Sequence, residues 1–439
     1  MESEESIPRH LATSNLPSSN FQATGWKLSV LIALFVGAVL WFSPHAGGGN
    51  PRQRPKVRAI TAFIRIDRAH YQAQIAATLQ MLDQAKAAFE RHRYQVESIR
   101  ITTQPFPEYV RGLNEADAVA FFHAYDNLAA KNGFDANIGP AMLEDTDDPL
   151  AAQLLGKVLS DTKNLEASLV VAGEDGIHWK SIHAAAKLIK FLEAHSPHSQ
   201  GTFNFAATAM LAPYAPFYPG SYHTGVGSQF SVGWEAANLV DEVFATTGSN
   251  AQLARERLTK AFTEQALEME RTALEISKQT GWTYMGLDPT PAPLREVSIG
   301  AAIEKFLGSK FGSSGTLTAA AVITQSVQSV PVKRIGYSGL MLPVLEDSLL
   351  AQRWSEGTFN VDSVLAYSAV CGTGLDTIPL PGDITEEQIA RMIGDMATLA
   401  FRWHKPLSAR LQPVAGKKPG DHTEFDDPFL VNVTLPRLP

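Results

Sequence analysis

The sequence predicts an α/β fold with much parallel strand pairing, and three observations carry that prediction. Strand-length runs rich in β-branched and aromatic residues alternate with longer segments of helical spacing from about residue 58 to the end. No repeat of 20 to 50 residues interrupts the alternation, which sets aside solenoids and propellers. No linker splits this body, whose best loop candidate is the acidic stretch Glu144 to Pro149. Residues 58–439 are therefore expected to form one domain.

The elements follow in order. Arg58 to Asp67 (RAITAFIRID) has strand composition, Ala69 to Arg93 is helical, and Tyr94 to Thr103 is a second strand. A strand ending at Gly173 precedes a helix from about His178 to His195, and Phe203 to Ala209 is again strand-like. Asn250 to Gln279 is a long helix rich in Ala, Glu, Leu and Arg, and a strand near Tyr284 leads into LDPTPAPL. Leu317 to Val330, Val361 to Val370 and Thr385 to His404 complete the helices.

Composition narrows the function. The 439 residues are 45% hydrophobic and 19% charged, ordinary for a folded body. One cysteine excludes a disulfide scaffold and Cys-rich zinc modules. A formal charge of -8 argues against a nucleic-acid partner, which needs Lys and Arg to displace phosphate counterions. A mean hydropathy of -0.07 argues against a polytopic membrane protein.

The amino-terminal part reads differently. Residues 1–25 are polar and aperiodic and read as a disordered tail. Residues 26–43 contain an uncharged run from Leu28 to Phe42, flanked by Trp26 and Trp41. As a helix this run reaches about 22 Å, short of a bilayer core of roughly 30 Å but suited to a thinner endomembrane. The segment is expected to be a single-pass anchor or an uncleaved signal, and the protein a membrane protein. Residues 44–57 form a Gly/Pro/basic linker, and Arg52, Arg54, Lys56 and Arg58 favour a cytosolic body.

Five motifs can carry chemistry. In SAVCGTGLD, Cys371 beside Gly372 and Gly374 suits a thiolate nucleophile near open amides, with Asp376 orienting a base or substrate. A buried, merely apolar cysteine is the alternative. His223 lies in a Gly- and aromatic-rich loop, FYPGSYHTGVG, able to present an imidazole as acid, base or ligand. Asp288 and Thr290 of LDPTP sit at an expected strand end, where ligands collect in α/β folds. Ser314 and Thr316 of FGSSGTLTA lie at a helix start that can bind an anion or can simply be capped. This stretch matches neither the phosphate loop nor the dinucleotide fingerprint. Glu346 and Asp347 of SGLMLPVLED can bind a divalent cation, or can open a helix. Arg410, in SARLQPVAGKKPGD, can hold an anionic substrate, or can belong to a surface hairpin.

Taken together and in this order, YPGSYHTGVG, LDPTPAPL, FGSSGTLTA, SGLMLPVLED, CGTGLDTIPLPG and ARLQPVAGKKPGD resemble the domain-of-unknown-function family 711, also called uncharacterised protein family 0210. The resemblance runs from RAITAFIRID to the end. It implies a fold similar to pyruvate formate-lyase, a ten-stranded α/β barrel of two parallel five-stranded halves. Enzymes of that fold keep a glycyl radical on a loop after the cysteine. Here the only similar string, Arg334 to Tyr337, precedes Cys371, and no glycine follows Gly420. The sequence therefore points away from glycyl-radical chemistry.

The expected function is a non-radical enzyme acting on a small carboxylate- or carbonyl-bearing metabolite inside the barrel. A membrane-anchored ligand-binding protein and a divalent-metal-dependent hydrolase or lyase are the alternatives. Assembly as a homo-oligomer is left open.

Overall fold

Residues that alternate between apolar and polar along a strand point to opposite faces of its sheet, and this chain uses that rule to build a sheet with one apolar and one polar face. The computed structural model describes residues 54–438. Ten strands are present: β1 (Lys56–Phe63), β2 (Val96–Thr102), β3 (Asp135–Pro140), β4 (Leu165–Gly173), β5 (Gly176–Ile177), β6 (Phe205–Ala209), β7 (Gln229–Glu235), β8 (Thr283–Ala292), β9 (Gly374–Pro381) and β10 (Leu407–Val414). They form one mixed sheet in the order β8-β7-β1-β2-β3-β4-β6-β10-β9, with β5 paired only to β4.

β1, β2, β3, β4 and β6 run parallel. On one side, β7 and β8 form a parallel pair that opposes β1. On the other, β9 and β10 form a parallel pair that opposes β6. The α/β class and the ten strands of the expected fold are therefore present. The expected second set of five is instead four strands in two pairs, and proline supplies the reason. β8 carries Pro289 and Pro291, β9 carries Pro379 and Pro381, and these are the two edge strands. Proline has no N–H to give a further neighbour. In place of a strand, irregular backbone over 333–346 bonds to both edges. Leu287 N–H of β8 donates to Lys333 O at 2.8 Å, and Val344 N–H donates to Asp376 O of β9 at 3.1 Å.

The outer face is apolar. Leu165, Ala167, Leu169 and Val171 alternate on β4, and Leu407, Ala409 and Leu411 alternate on β10, all fully or almost fully buried against the helices. The helix Tyr71–Arg91 contributes Ile75, Met81, Leu82, Ala85 and Phe89 to the same core. Local signals set the helix ends. Asn250 accepts from Leu253 N–H at 3.1 Å to start Ala251–Thr280, and Gly281, at φ 76°, ends it.

The inner face is polar, and two loops occupy it. Residues 211–217 and 337–341 share a small second core of Leu211, Ala215, Phe217, Tyr337 and Met341 with Ala292 of β8. The first loop is tied to the strands by Thr61 Oγ1 donating to Pro216 O (3.0 Å) and Asn137 Nδ2 donating to Pro219 O (2.7 Å). The second rests on Asp288, which accepts from Tyr337 N–H (2.7 Å) and Ser338 N–H (3.1 Å).

Two expectations need correction. The expected linker 44–57 runs too far, since β1 already begins at Lys56. The membrane assignment, with its single-pass and endomembrane placement, is withdrawn: among the described residues no helix is long and apolar enough to cross a membrane. The segment 26–43 and the tail 1–25 lie outside the described residues.

One packing detail is directly testable. Gly339 and Gly372 touch backbone to backbone, so that a Cβ on either would lie 2.5–2.6 Å from the other's Cα. Neither backbone can yield without moving its loop. Gly372→Ala is expected to lower stability by about 1–3 kcal/mol, the usual cost of overpacking, read from urea unfolding. An unchanged midpoint and slope would contradict this packing.

Candidate functional site

Four of the five parallel strands line a cavity of about 420 Å³. β1 gives it Arg58, β2 gives Ser98 and Arg100, β3 gives Asp135 and β4 gives Glu166. Opposite them stand Glu346 of the irregular segment, Asp376 of β9, and Ser408 and Arg410 of β10. Phe203, Phe217, Tyr218 and Phe429 supply aromatic wall.

The charges fall into two groups. The first is a paired chain. Arg410 Nη1 donates to Glu346 Oε1 at 2.9 Å and to Asp376 Oδ1 at 3.3 Å, while Nη2 donates to Phe203 O at 2.9 Å. Glu346 Oε2 accepts from Arg58 Nη2 at 3.3 Å. Arg58 continues to Glu97 and Glu235, which also share Lys56. Arg410 is only 7% exposed, and its guanidinium lies 4.3 Å from the Phe203 ring centroid. Buried charges of this kind persist only when paired.

The second group is open. Arg100 rests 4.7 Å from the Tyr218 ring centroid and spends only its Nε on protein, on Ser98 Oγ (3.1 Å) and toward Asp135 (3.6 Å). Its two terminal nitrogens make no hydrogen bond among the described residues. Neither does the carboxyl of Glu166. Burial pushes the Glu166 carboxyl up to about 7, with Arg100 and Arg410 pulling it down and Asp135 and Glu346 pushing it up. Burial likewise raises Asp376 to about 6 despite the adjacent Arg410. Two further polar atoms on the wall are buried without hydrogen-bond partners among the described residues, Arg410 Nε and Thr373 Oγ1.

Of the residues singled out from the sequence, the fold brings Glu346, Asp376 and Arg410 together in this cavity. Arg410 sits within β10, so the surface-hairpin alternative is set aside. The rest are placed elsewhere, each for a visible reason. Cys371 is fully buried, its thiol 3.7 Å from Ser368 Oγ, and it does not line the cavity. Gly372 serves close packing against Gly339, so the open amides expected beside a nucleophile are not what those glycines provide. His223 is buried with Nε2 3.0 Å from Gln229 Oε1, also outside the cavity, and burial lowers its basicity.

Asp288 is interior to β8 rather than at its end. Besides the loop amides it accepts from Thr290 N–H (3.0 Å) and Thr290 Oγ1 (2.6 Å), so Asp288 and Thr290 act as a staple. Gly336, at φ 70°, leaves room for that carboxylate, since a Cβ there would meet it at 2.2 Å. Thr316 is buried, donating to Ser313 O at 2.7 Å, and Ser314 is exposed outside the cavity: the motif is a turn closed by its own side chains. Asp347 accepts from Ser298 Oγ, Ile299 N–H, Gly300 N–H, Leu349 N–H and Leu350 N–H, joining the starts of two helices. With Glu346 held by Arg58 and Arg410, the two acids do not form a cation site. Among the described residues no group of three or more His, Cys, Asp or Glu is arranged to hold a metal ion.

Sequence reasoning passed over Arg58, Arg100, Asp135 and Glu166. Their signal was a charge at an alternating position within an otherwise apolar strand, as in LEASLVVAG of β4.

Similar proteins are found by sequence and by structure. The family model described as Uncharacterised ACR (DUF711) matches residues 51–426. A UPF0210 protein of Pyrobaculum aerophilum is 30% identical over 347 residues, 75% of this chain and 76% of the relative. One from Pyrobaculum arsenaticum is 30% identical over 343 residues, 74% of this chain and 75% of that one. Among solved structures, the anaerobic ribonucleotide reductase from Thermotoga maritima, crystallised with dATP and CTP, aligns with 81% of this chain and 75% of its own at 9% identity and a TM-score of 0.41.

The raised carboxyls have a consequence for stability. Glu166 and Asp376 hold their protons to higher pH in the folded chain than in the unfolded one. The stability they contribute is therefore full below an unfolded carboxylate's pKa of about 4. It is lost as pH rises through about 6 for Asp376 and about 7 for Glu166. Glu166→Gln is expected to flatten the decline near neutrality in a melting-temperature series against pH. A variant whose series parallels the wild type would contradict the assignment.

Proposed function

The chain belongs to the DUF711 family, described as uncharacterised, and we propose that it is an enzyme that holds a small carboxylate-bearing metabolite on Arg100 and moves a proton on it with Glu166. On this reading the ten-stranded sheet closes on itself through residues 333–346, and the cavity is its interior. The observation that carries the reading is Glu166 itself. It is a carboxyl at the cavity wall with no hydrogen bond, influenced by Arg100 and Arg410, and brought to about 7 by burial. A proton-transfer group works best when its pKa lies near the working pH.

The chemistry follows from the residues. Arg100 offers two free N–H-bearing nitrogens in a plane fixed by Tyr218, which suits a two-point hold on a carboxylate. Ionised Glu166 takes a proton from the substrate carbon next to that carboxylate. The C–H electron pair moves onto the carboxylate oxygens, where Arg100 meets the developing charge. Return of the proton from Glu166 completes the cycle. The Arg410, Glu346 and Asp376 cluster lies opposite and fixes the wall rather than taking substrate, since its charges are already matched.

The test is deuterium exchange. Small carboxylates with a hydrogen on the neighbouring carbon are incubated with the protein in D₂O, and loss of that hydrogen is followed by proton NMR. Exchange is expected for at least one of them, rising as pH passes through about 7. Glu166→Gln is expected to slow it by roughly 10²–10⁴-fold, and Arg100→Gln to weaken saturation. Carboxylate binding without exchange would overturn the enzymatic reading and leave a binding protein. Exchange unaffected by Glu166→Gln would overturn the assigned residue.

A further inference from the structure

We propose that the metabolite is a zwitterion of the α-amino acid type, its carboxylate on Arg100 and its ammonium on Asp135. The proposal rests on the anion seat assigned above to Arg100 and adds a cation seat beside it.

Several charges on the cavity wall are used up by the protein's own pairs. Arg58 and Arg410 are matched by Glu97, Glu235, Glu346 and Asp376. Asp427 accepts from Phe429 N–H at 2.8 Å. Arg100 and Asp135 are left with open capacity side by side, while Glu166, Asp427 and the exposed Lys163 also line the cavity without an ion pair among the described residues. Arg100 and Asp135 touch only through Arg100 Nε at 3.6 Å, which leaves both terminal guanidinium nitrogens free.

Position then decides the ligand. Arg100 and Asp135 are register partners on the adjacent parallel strands β2 and β3, whose backbones lie about 4.8 Å apart. A purely anionic ligand on Arg100 would sit against the Asp135 carboxylate and be repelled by it. A purely cationic ligand on Asp135 would meet the Arg100 guanidinium. A carboxylate and an ammonium on one carbon are spaced to satisfy both neighbours at once. Glu166 lies on the next strand, close enough to feel both charges, where it can serve the carbon that bears them. Phe217, Met341 and Phe429 offer an apolar wall for a side chain. Thr373 Oγ1, buried on the wall without a partner among the described residues, provides a further polar contact for a ligand.

The experiment uses the full chain and calorimetry. The common amino acids are titrated at millimolar concentration, and the best binder is compared with its des-amino carboxylic acid and its decarboxylated amine. Each analogue is expected to bind roughly tenfold weaker or worse, the loss that follows when one member of a charge pair is missing. Asp135→Asn is expected to erase the amino acid's advantage over the des-amino acid, weakening the amino acid as its ammonium loses a partner and strengthening the des-amino acid as the repulsion is removed. Asp135→Glu is expected to restore part of the advantage, separating a charge effect from a folding defect. A des-amino acid that binds wild type as tightly as the amino acid overturns the zwitterion and spares the anion seat. Binding unaffected by Arg100→Gln overturns the anion seat itself. Failure of every amino acid and carboxylate to bind overturns both.

Discussion

Arg410 is the constraint on which the interior depends. A guanidinium on β10, almost wholly removed from water, must find negative charge close by or its burial costs several kcal/mol. It finds Asp376 on the neighbouring strand and Glu346 on the irregular segment. Glu346 is shared with Arg58 on β1, at the other side of the parallel set. One chain of ion pairs thus ties together both flanks of the sheet and the segment that bonds to its two edges. Removing Glu346 takes one carboxylate from Arg410 and one from Arg58 at once and breaks the link between the two flanks.

That network also shapes the chemistry beside it. By matching Arg58 and Arg410 internally, it leaves Arg100 as the buried-side cation with free donors, and leaves Glu166 without a direct partner. A carboxyl in that position is governed by desolvation rather than by a salt bridge, and so it rises toward neutrality. Structural pairing and functional openness divide the same cavity between them.

Much of the architecture was legible because long helices announce themselves. Asn250 and Gly281 bracket one such helix by capping chemistry visible in the sequence. β9 and β10 were not, because LDTIPLP and SARLQPV carry prolines and interior polar residues that mask an alternating pattern. β8 was recognised but ended too early, since DPTP reads as a turn until its edge position is known. One glycine motif misled. Gly372 suggested an open amide beside a nucleophile, yet it exists so that its backbone can approach Gly339. Glu346, Asp376 and Arg410 were legible as charges within motifs, though the roles expected of them, a cation site, a partner to Cys371 and an anion seat, differ from the mutual pairing they show. The same reasoning applied inside β2 and β4 would have found Arg100 and Glu166. It was not decisive there because a lone charge within a short strand does not reveal which face is buried.

The proposed chemistry requires Glu166 to keep its proton to near neutrality inside the cavity. Infrared difference spectra of wild type against Glu166→Gln, recorded across pH, read that carboxyl directly through its C=O stretch. The account predicts a protonated carbonyl band lost with a midpoint near 7. A band lost near an ordinary glutamate value of about 4.3 would contradict it.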